Sequence, residues 1–321
     1  MSVLVTGAAG FIGYHVCEAL LARGETVTGV DNLNDYYDVR LKGARLSRLV
    51  RRDGFRFLKQ DFSEREAMLA LADEDFTHIV HLGAQAGVRY SLVNPYTYVT
   101  ANVMGQVVML ELARQLKNLK TVVYASSSSV YGGNTKLPFA VGDAVDTPQS
   151  LYAATKRADE LIAHTYAHLY RIPLVGLRFF TVYGPWGRPD MAPFLFAKAM
   201  LAGEPIKVFN NGEMWRDFTY IDDIVAGILA AMEAPPAATP PHKVYNIGNN
   251  ASEKLTDFIA ALEAALGVTA DKVFEPMQPG DVVSTYADIE DTKRELGFAP
   301  TTPISVGVPK FVDWYREFYE V

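Results

Sequence analysis

The chain contains 321 residues, of which 49% are hydrophobic, and it carries a formal net charge of −7 at pH 7. A chain of this size can bury a large core, either as one long α/β domain or as a large lobe with a smaller one. The negative charge, without any basic tract, argues against a nucleic-acid partner, whose phosphates require cations.

Strands and helices alternate along the first 180 residues. Strands are predicted at 2–6, 25–31, 55–59, 78–82, 120–125 and 173–178. Helices are predicted at 11–23, 38–52, 64–73, 95–117 and 151–170. This alternation implies right-handed crossovers between parallel strands. Because the strands are almost continuously apolar, we expect helices to cover both faces of the sheet.

The composition changes after residue 180, where glycine and proline cluster in the segment TVYGPWGRPDMAP. Shorter elements follow, and PPAATPP at 235–241 is predicted to be a surface loop. We therefore predict an α/β fold with a doubly wound, Rossmann-like parallel sheet in residues 1–180. Residues 181–321 would form a smaller α/β substrate lobe, partly interleaved with the first domain.

Cys17 is the only cysteine of the chain, so neither an internal disulfide nor a zinc cluster of cysteines can form. It lies in an apolar helical pattern, which favours a core residue over a nucleophile. The sequence contains no run of about 18 apolar residues, so it predicts no membrane span. The apolar N-terminus lacks the basic segment of a signal peptide. We expect a cytoplasmic protein with no membrane partner and no metal.

Three glycines, Gly7, Gly10 and Gly13, separate the first predicted strand from the first helix. In that context the first permits a tight turn, the second lets a pyrophosphate approach the backbone, and the third lets helix and strand pack closely. The phosphates would lie at a helix N-terminus, where free N–H groups favour anions. The spacing predicts a dinucleotide site in this turn.

Two carboxylates follow the next strands. Asp31 ends the second predicted strand, where it could accept both hydroxyls of an adenosine ribose and would repel a 2′-phosphate. NAD is therefore favoured over NADP, although Asp31 could instead be a helix N-cap. Asp61 follows the third strand and could meet the adenine, but an N-cap role explains it equally well.

Tyr152 and Lys156 are four residues apart on a predicted helix and therefore share a face. A tyrosine hydroxyl ordinarily has a pKa of about 10, but a neighbouring ammonium stabilises the phenolate and makes it a usable base. The serine run at 126–129 ends the fifth strand, at the edge of a parallel sheet where ligands bind. We predict Tyr152 and Lys156 as catalytic residues, with Ser127 sharing the substrate oxygen. A surface helix and a polar loop are the alternatives.

Further motifs cover nearly the whole chain: TGAAGFIG at 6–13, HLGAQAGVR at 81–89, SSSSVYG at 126–132, YAATK at 152–156, RFFTVYGP at 178–185 and RDFTYIDD at 216–223. With them the chain resembles the extended short-chain dehydrogenase/reductase family, in its nucleotide-sugar epimerase and dehydratase group. DNLNDYYDVRLK at 31–42 and YGPWGRPDMAPFLF at 183–196 are most similar to the UDP-glucuronate 4-epimerases. The resemblance implies NAD as cofactor, a UDP-sugar as substrate, and a homodimer through the helices near 95–117 and 151–170.

The resemblance also implies further site residues. For the cofactor it adds Phe11, Ile12, Asn32, Phe62, Leu82, Ala84 and Asn102 to the residues above. For the nucleotide, Arg216 matches the diphosphate arginine of the family and Asp281 matches its ribose-binding aspartate. Gln278 stands where many relatives carry an arginine, which weakens one phosphate contact. Phe209 would flank the uracil, or it would belong to the core of the lobe.

The residues before Val130 distinguish the reactions of this group. Dehydratases carry Asp and Glu at the places of Ser128 and Ser129, and decarboxylases keep the Glu, whereas this chain has neither carboxylate. An epimerase needs only the tyrosine, the lysine, a hydroxyl and NAD. The resemblance therefore implies epimerisation by oxidation at C4, rotation of the 4-keto sugar and return of the hydride, with Ser128 as a substrate contact.

In the motif RFFTVYG, which resembles that of the UDP-galactose 4-epimerases, Thr181 stands where those enzymes carry asparagine. A small threonine, followed by Arg188, suits a C6 carboxylate, because arginine can bind a carboxylate bidentately. Arg89 is a second candidate for this carboxylate, and Arg188 could instead be a surface charge. UDP-glucuronate is the favoured substrate. A UDP-hexose or UDP-N-acetylhexosamine 4-epimerase, a UDP-glucuronate decarboxylase and a non-catalytic NAD-binding protein are the alternatives.

Overall fold

The computed structural model describes residues 1–278 and 281–321. Its strands are β1 (Ser2–Thr6), β2 (Thr26–Val30), β3 (Phe55–Leu58), β4 (His78–His81), β5 (Thr121–Ser127), β6 (Leu174–Phe179), β7 (Thr181–Tyr183), β8 (Ile206–Phe209), β9 (Trp215–Arg216), β10 (Phe218–Tyr220), β11 (His242–Ile247), β12 (Glu253–Lys254) and β13 (Lys272–Glu275). Its helices are α1 (Phe11–Ala22), α2 (Val39–Leu49), α3 (Arg65–Leu69), α4 (Tyr90–Val93), α5 (Pro95–Tyr98), α6 (Gly105–Gln115), α7 (Leu151–Tyr170), α8 (Ala192–Leu201), α9 (Ile221–Glu233), α10 (Leu255–Leu266), α11 (Glu290–Leu296) and α12 (Ile304–Tyr319).

Seven parallel strands form the central sheet, in the order β3-β2-β1-β4-β5-β6-β11. Its two faces are buried in separate cores: Val3 and Val5 pack with α1 and α9, whereas Leu4 packs with α6 and α7. Both faces are therefore covered, as the apolar strands require. The doubly wound, Rossmann-like sheet predicted from the sequence is confirmed. The strand order reverses between β1 and β4, which opens a crevice at their carboxyl ends.

Helix α7 coincides with the helix predicted at 151–170. The Ser150 hydroxyl accepts a hydrogen bond from the Ala153 N–H at 3.1 Å and caps its first turn. Arg171 follows in the left-handed conformation, with φ of 59°, and ends the helix. These end signals place Tyr152 and Lys156 in the first and second turns.

Two predicted helices differ from the structure. The helix at 95–117 is interrupted by a π-helical turn, Val99–Met104, which joins α5 to α6. The helix at 64–73 is reduced to α3, because residues 70–73 form turns. Asp73 and Asp75 lie in or beside those turns, and aspartate favours turns over helix interiors.

The chain returns to the central sheet late in the sequence. Strand β11 pairs in parallel with β6, and α9 packs against α1. The rest of the C-terminal lobe contains two-stranded pairs, β7 with β10, β8 with β13 and β9 with β12. The division at residue 180 remains a prediction, and we propose that 221–247 belong with the sheet domain.

Arg45 on α2 ties two distant segments together. Its side chain is fully buried and donates to the carbonyl oxygen of Ala9, in the glycine turn, at 2.9 Å. It also donates to the Tyr37 hydroxyl at 2.8 Å, and to the carbonyls of Trp186 at 2.6 Å and Gly187 at 3.2 Å. The segment that carries Arg188 is thereby fixed against the first turn of the sheet.

Candidate active site

A cavity of about 390 Å³ lies at the carboxyl ends of the central strands. The predicted residues in its wall are Gly7, Gly10, Phe11, Ile12, Gly13, Asp31, Asn32, Phe62, Leu82, Ala84, Ser127, Ser128, Tyr152, Lys156, Thr181, Arg188, Arg216 and Asp281. Within the described residues, the wall does not include five other predicted site residues: Asp61, Arg89, Asn102, Phe209 and Gln278. The crevice between β1 and β4 thus brings most of the predicted site together.

The glycine turn is shaped by contacts that exclude side chains. Gly7 has φ of +71°, and a Cβ added there would lie 2.9 Å from the backbone nitrogen of Gly83 beyond β4. A Cβ at Gly13 would overlap the carbonyl oxygen of Gly7. The N–H of Gly10 donates to that same carbonyl at 2.9 Å. The backbone at the start of α1 is therefore open to a ligand.

Asp31 lies at the end of β2 and is 7% exposed. One carboxylate oxygen accepts from the Ala9 N–H at 3.1 Å, and the other accepts from the Leu33 N–H at 2.8 Å. Asp38 caps helix α2, so the N-cap alternative for Asp31 is wrong. The carboxylate instead connects the glycine turn to the loop after β2.

Asp61 lies behind the cavity wall. Its carboxylate accepts from the Asn32 side chain at 2.8 Å and from the N–H and hydroxyl of Ser63 at 2.9 and 2.7 Å. Burial acts to raise the pKa of Asp61, but these hydrogen bonds outweigh burial and lower it. Asp61 therefore orients Asn32, which does line the cavity.

Asn102 is also set back from the cavity and is 1% exposed. Its amide donates to the Gln85 carbonyl at 3.1 Å and to the Thr155 hydroxyl at 2.9 Å, and it accepts from the Gln85 N–H at 2.8 Å. These bonds occupy the side chain. Asn102 fixes the loop after β4, which lines the cavity, to helix α7.

Tyr152 and Lys156 both face the cavity from α7. The Lys156 ammonium donates to the Ala125 carbonyl at 3.0 Å and to the Asp159 carboxylate at 3.1 Å. The Tyr152 ring packs edge-on against Tyr98, with centroids 6.1 Å apart. The helix thus places a phenol and an ammonium on one wall, as their spacing predicts.

The serines lie where β5 ends. The Ser127 hydroxyl accepts from the Ser129 N–H at 3.2 Å and from its hydroxyl at 2.7 Å. It thereby caps the 3₁₀ turn Ser128–Tyr131. Ser126 donates to Glu160 at 2.6 Å, so this hydroxyl is directed into a buried network. Ser127 and Ser128 line the same cavity as Tyr152.

Arg188 lines the cavity but already binds a carboxylate of the protein. Its Nε and Nη2 atoms donate to the two oxygens of Asp190 at 3.0 and 2.5 Å, and the Tyr36 hydroxyl donates to the same side chain at 3.0 Å. Burial acts to lower the pKa of Arg188, but Asp190 outweighs it and raises the pKa above its ordinary value. Thr181 also lines this part of the cavity.

A second charged cluster adjoins the cavity wall at Arg216 and Asp281. Arg89 contacts the Asp281 carboxylate at 3.0 Å, and its guanidinium lies 4.8 Å from the centre of the Phe209 ring. Arg216 donates to the Val283 carbonyl at 3.1 Å, and burial lowers the pKa of Arg216 while Asp281 opposes this. Arg89 therefore groups with the residues expected at the nucleotide, which disfavours its role as a second ligand for the sugar carboxylate.

Gln278 is half-buried, and its carbonyl accepts from the Asp281 N–H at 3.2 Å. This contact places its backbone beside the Arg89 cluster. Pro279 and Gly280, which complete the motif before Asp281, lie outside the described residues.

Sequence reasoning missed three side chains that contact the predicted site. Asp159 follows Lys156 by three residues on a predicted helix, so the spacing of opposite charges could have indicated that pair. Asp190 is two residues from Arg188 outside any helix, and helical spacing does not indicate that pair. Tyr36 reaches Asp190 from a segment more than 150 residues away, and no local pattern predicts that contact.

No group of three or more His, Cys, Asp or Glu side chains in 1–278 and 281–321 is arranged to hold a metal ion. Across those ranges, no helix has both the length and the apolar character needed to cross a membrane.

Residues 3–248 match the NAD dependent epimerase/dehydratase family, and the chain belongs to this family. Protein CapI of Staphylococcus aureus is 49% identical over 335 residues, which cover 100% of both chains. UDP-glucuronate 4-epimerase 4 of Arabidopsis thaliana is 49% identical over 333 residues, covering 99% of this chain and 76% of the relative. The crystal structure of UDP-glucuronic acid 4-epimerase from Bacillus cereus, in complex with UDP-glucuronic acid and NAD, is 36% identical. It superposes with a TM-score of 0.92 and covers 99% of this chain and 100% of its own.

Two helical glycines provide a matched test of the cofactor turn. We expect Gly13→Ala to lower the free energy of unfolding by at least about 2 kcal/mol, because its Cβ would overlap the backbone of Gly7. Gly43→Ala on α2 meets no atom within 4 Å and should raise that free energy by roughly 0.5–1 kcal/mol. Urea denaturation of both variants measures the difference. Equal stability of the two variants would contradict the role given to Gly13.

Proposed function

We propose that the chain catalyses the NAD-dependent 4-epimerisation of a UDP-sugar, converting UDP-glucuronate to UDP-galacturonate. The observation that carries this proposal is the grouping of Tyr152, Lys156 and Ser127 around one cavity, with hydroxyls rather than carboxylates at Ser128 and Ser129. The family and the named epimerases among the relatives support the same reaction.

The residues of the glycine turn fit NAD. The backbone packs so closely at Gly7 and Gly10 that neither position has room for a side chain, and free N–H groups at the start of α1 suit the pyrophosphate. Asp31 would hold the adenosine ribose, with Asn32 and Phe62 nearby in the wall. The chemistry that NAD supplies when bound is the removal of hydride from a carbon and its return.

The protein's own residues would manage the proton. Tyr152, as phenolate, would take the proton of the C4 hydroxyl and later give it back to the inverted alcohol. Lys156 would stabilise that phenolate, and Ser127 would donate a hydrogen bond to the same sugar oxygen. Between the two transfers the 4-keto sugar would turn about its bond to UDP and present its other face.

The uronate adds a further requirement. Once C4 is a ketone, the C6 carboxylate belongs to a β-keto acid, which readily loses carbon dioxide when the carboxylate aligns with the ketone π system. Arg188 and Thr181 would hold the carboxylate out of that alignment. To do so, Arg188 must share its guanidinium between the sugar and Asp190.

The nucleotide would lie at the other end of the cavity. Arg216 would contact the diphosphate and Asp281 the ribose, while Phe209, under the Arg89 guanidinium, would flank the uracil. This arrangement separates the fixed UDP group from the sugar. The separation is needed if the sugar is to turn while the nucleotide stays bound.

A substrate panel tests the proposed reaction. Purified protein, without added NAD, should convert UDP-glucuronate to UDP-galacturonate and turn over UDP-glucose and UDP-N-acetylglucosamine much more slowly. The variant Tyr152→Phe loses only the hydroxyl and should lower the rate by about 10²–10⁴-fold. Products are measured by chromatography and mass spectrometry. The assignment would be overturned if UDP-pentose and carbon dioxide were the sole products, or if UDP-glucose or UDP-N-acetylglucosamine were converted faster than UDP-glucuronate.

Two arginines, Arg188 in the cavity wall and Arg89 in the cluster with Asp281, allow sugar binding and nucleotide binding to be tested separately. We expect Arg188→Ala to lower kcat/KM for UDP-glucuronate by about 100-fold and to increase carbon dioxide release, because a charge-assisted pair is lost. The affinity for UDP should stay nearly unchanged. Arg89→Ala should show the reverse, with weaker UDP binding and little carbon dioxide. Calorimetric titration measures UDP affinity, product analysis measures epimerisation and carbon dioxide, and thermal denaturation checks that both variants fold. Equal loss of UDP affinity in the two variants would contradict the separate roles.

We also propose a homodimer through the helices near 95–117 and 151–170. Large apolar side chains are exposed along these elements: Tyr96, Val99, Met104, Leu161, Leu169 and Tyr170. An apolar surface of this kind suits an isologous contact between two copies.

Light scattering after size-exclusion chromatography measures this assembly. We expect a dimer for the unmodified chain and a monomer for the double variant Tyr96→Glu, Leu161→Glu, because charges would be buried at the contact. Leu195→Glu on α8 changes a similarly exposed leucine elsewhere and should remain dimeric. A monomeric unmodified chain would refute the proposed contact.

A further inference from the structure

The proposed catalytic lysine is half of a buried ion pair. Lys156 Nζ lies 3.1 Å from an oxygen of Asp159, one turn further along α7, and their side chains are only 4% and 2% exposed. The second contact of Lys156 is the Ala125 carbonyl at the end of β5. The other carboxylate oxygen of Asp159 has no hydrogen-bond partner within residues 1–278 and 281–321.

From this geometry we infer that Asp159 is a positioning residue that holds Lys156 against β5 and offsets part of its charge at Tyr152. The inference rests on the proposed function, because Tyr152 and Lys156 act there as the proton-transfer pair. Asp159 lies behind the lysine and acts through it, as a carboxylate that limits how strongly the ammonium stabilises a phenolate.

The other ionisable groups near Lys156 are either uncharged or paired elsewhere, so Asp159 is its charged partner. Glu160, next on α7, is held by Arg178 of β6 through two bonds of 2.8 Å and by Arg157 at 3.0 Å. From β4, His81 is neutral, since burial lowers its pKa to about 3. From β5, burial raises the pKa of Tyr124 well above its usual range, so it too is uncharged.

The net charge of the Lys156–Asp159 pair changes within the pH range in which enzymes commonly act. Burial raises the pKa of Asp159 to about 6, although Lys156 acts in the opposite direction. Above that pH the pair is ionised and nearly neutral as a unit. Below it the carboxyl takes up a proton, and the full positive charge of Lys156 acts on Tyr152. Acid therefore increases the net positive charge of the Lys156–Asp159 pair.

The result should be a broadened acid limb in the pH profile. For unmodified protein with UDP-glucuronate, we expect log kcat/KM to fall with acid more gradually than one ionisation allows. Asp159→Asn removes the charge but keeps the shape. Its limb should follow a single ionisation and move about one pH unit lower, since Lys156 is no longer offset. Asp159→Glu, which restores a carboxylate, should return the profile toward that of the unmodified protein.

A matched variant separates this effect from a general loss of charge. Glu160→Gln removes the same charge from the same helix without contacting Lys156. It should lower the melting temperature and move the acid limb much less than Asp159→Asn does, because Glu160 is only a minor cause of the raised pKa of Asp159. If Glu160→Gln moves the limb as far as Asp159→Asn does, or if neither moves it, Asp159 has only a structural role. Should Asp159→Asn fail to fold, a single-ionisation limb in the unmodified protein would overturn the inference.

The state of bound NAD gives a readout that does not depend on turnover. Uncompensated positive charge disfavours the cationic oxidised nicotinamide, so the bound cofactor in Asp159→Asn should be reduced more readily by a chemical reductant than in unmodified protein. Near-ultraviolet absorbance reports the reduced fraction. Absence of turnover with every UDP-sugar would refute the proposed function, whereas an unchanged reduced fraction would refute the role of Asp159.

Discussion

The site depends on one close contact between two backbones, at the point where the strand order reverses. The turn after β1 meets the loop after β4 so closely that a Cβ on Gly7 would lie 2.9 Å from the nitrogen of Gly83. Only glycine permits that approach in this conformation. The contact sets the depth of the crevice, and the ends of β2, β5 and β6 then deliver their side chains around it.

The sequence predicts what local patterns determine. The helix predicted at 151–170 is α7, with the same ends, and the parallel sheet follows from the alternation of strands and helices. Pairings between distant segments were not predictable: Arg89 meets Asp281 across 192 positions and Tyr36 meets Asp190 across 154. Such contacts depend on tertiary packing, which no spacing encodes. The return of β11 to the sheet has the same cause.

Three cations in or beside the cavity lie against a carboxylate of the protein: Arg188 with Asp190, Lys156 with Asp159, and Arg89 with Asp281. Because the pairs are nearly neutral and the chain as a whole carries −7, long-range attraction contributes little to the capture of an anionic nucleotide sugar. Recognition therefore depends on directed hydrogen bonds at short range, which can discriminate between a carboxylate and a hydroxymethyl group.

The fully buried guanidinium of Arg45 joins the glycine turn to the carbonyls of Trp186 and Gly187. Loss of those acceptors would leave buried donors unsatisfied, which costs about 1–3 kcal/mol for each group. A protein engineer who rebuilds the loop before Arg188 to admit another sugar would therefore also weaken the anchor of the cofactor turn. In this molecule, a change in substrate range at this loop would also change the thermodynamic stability.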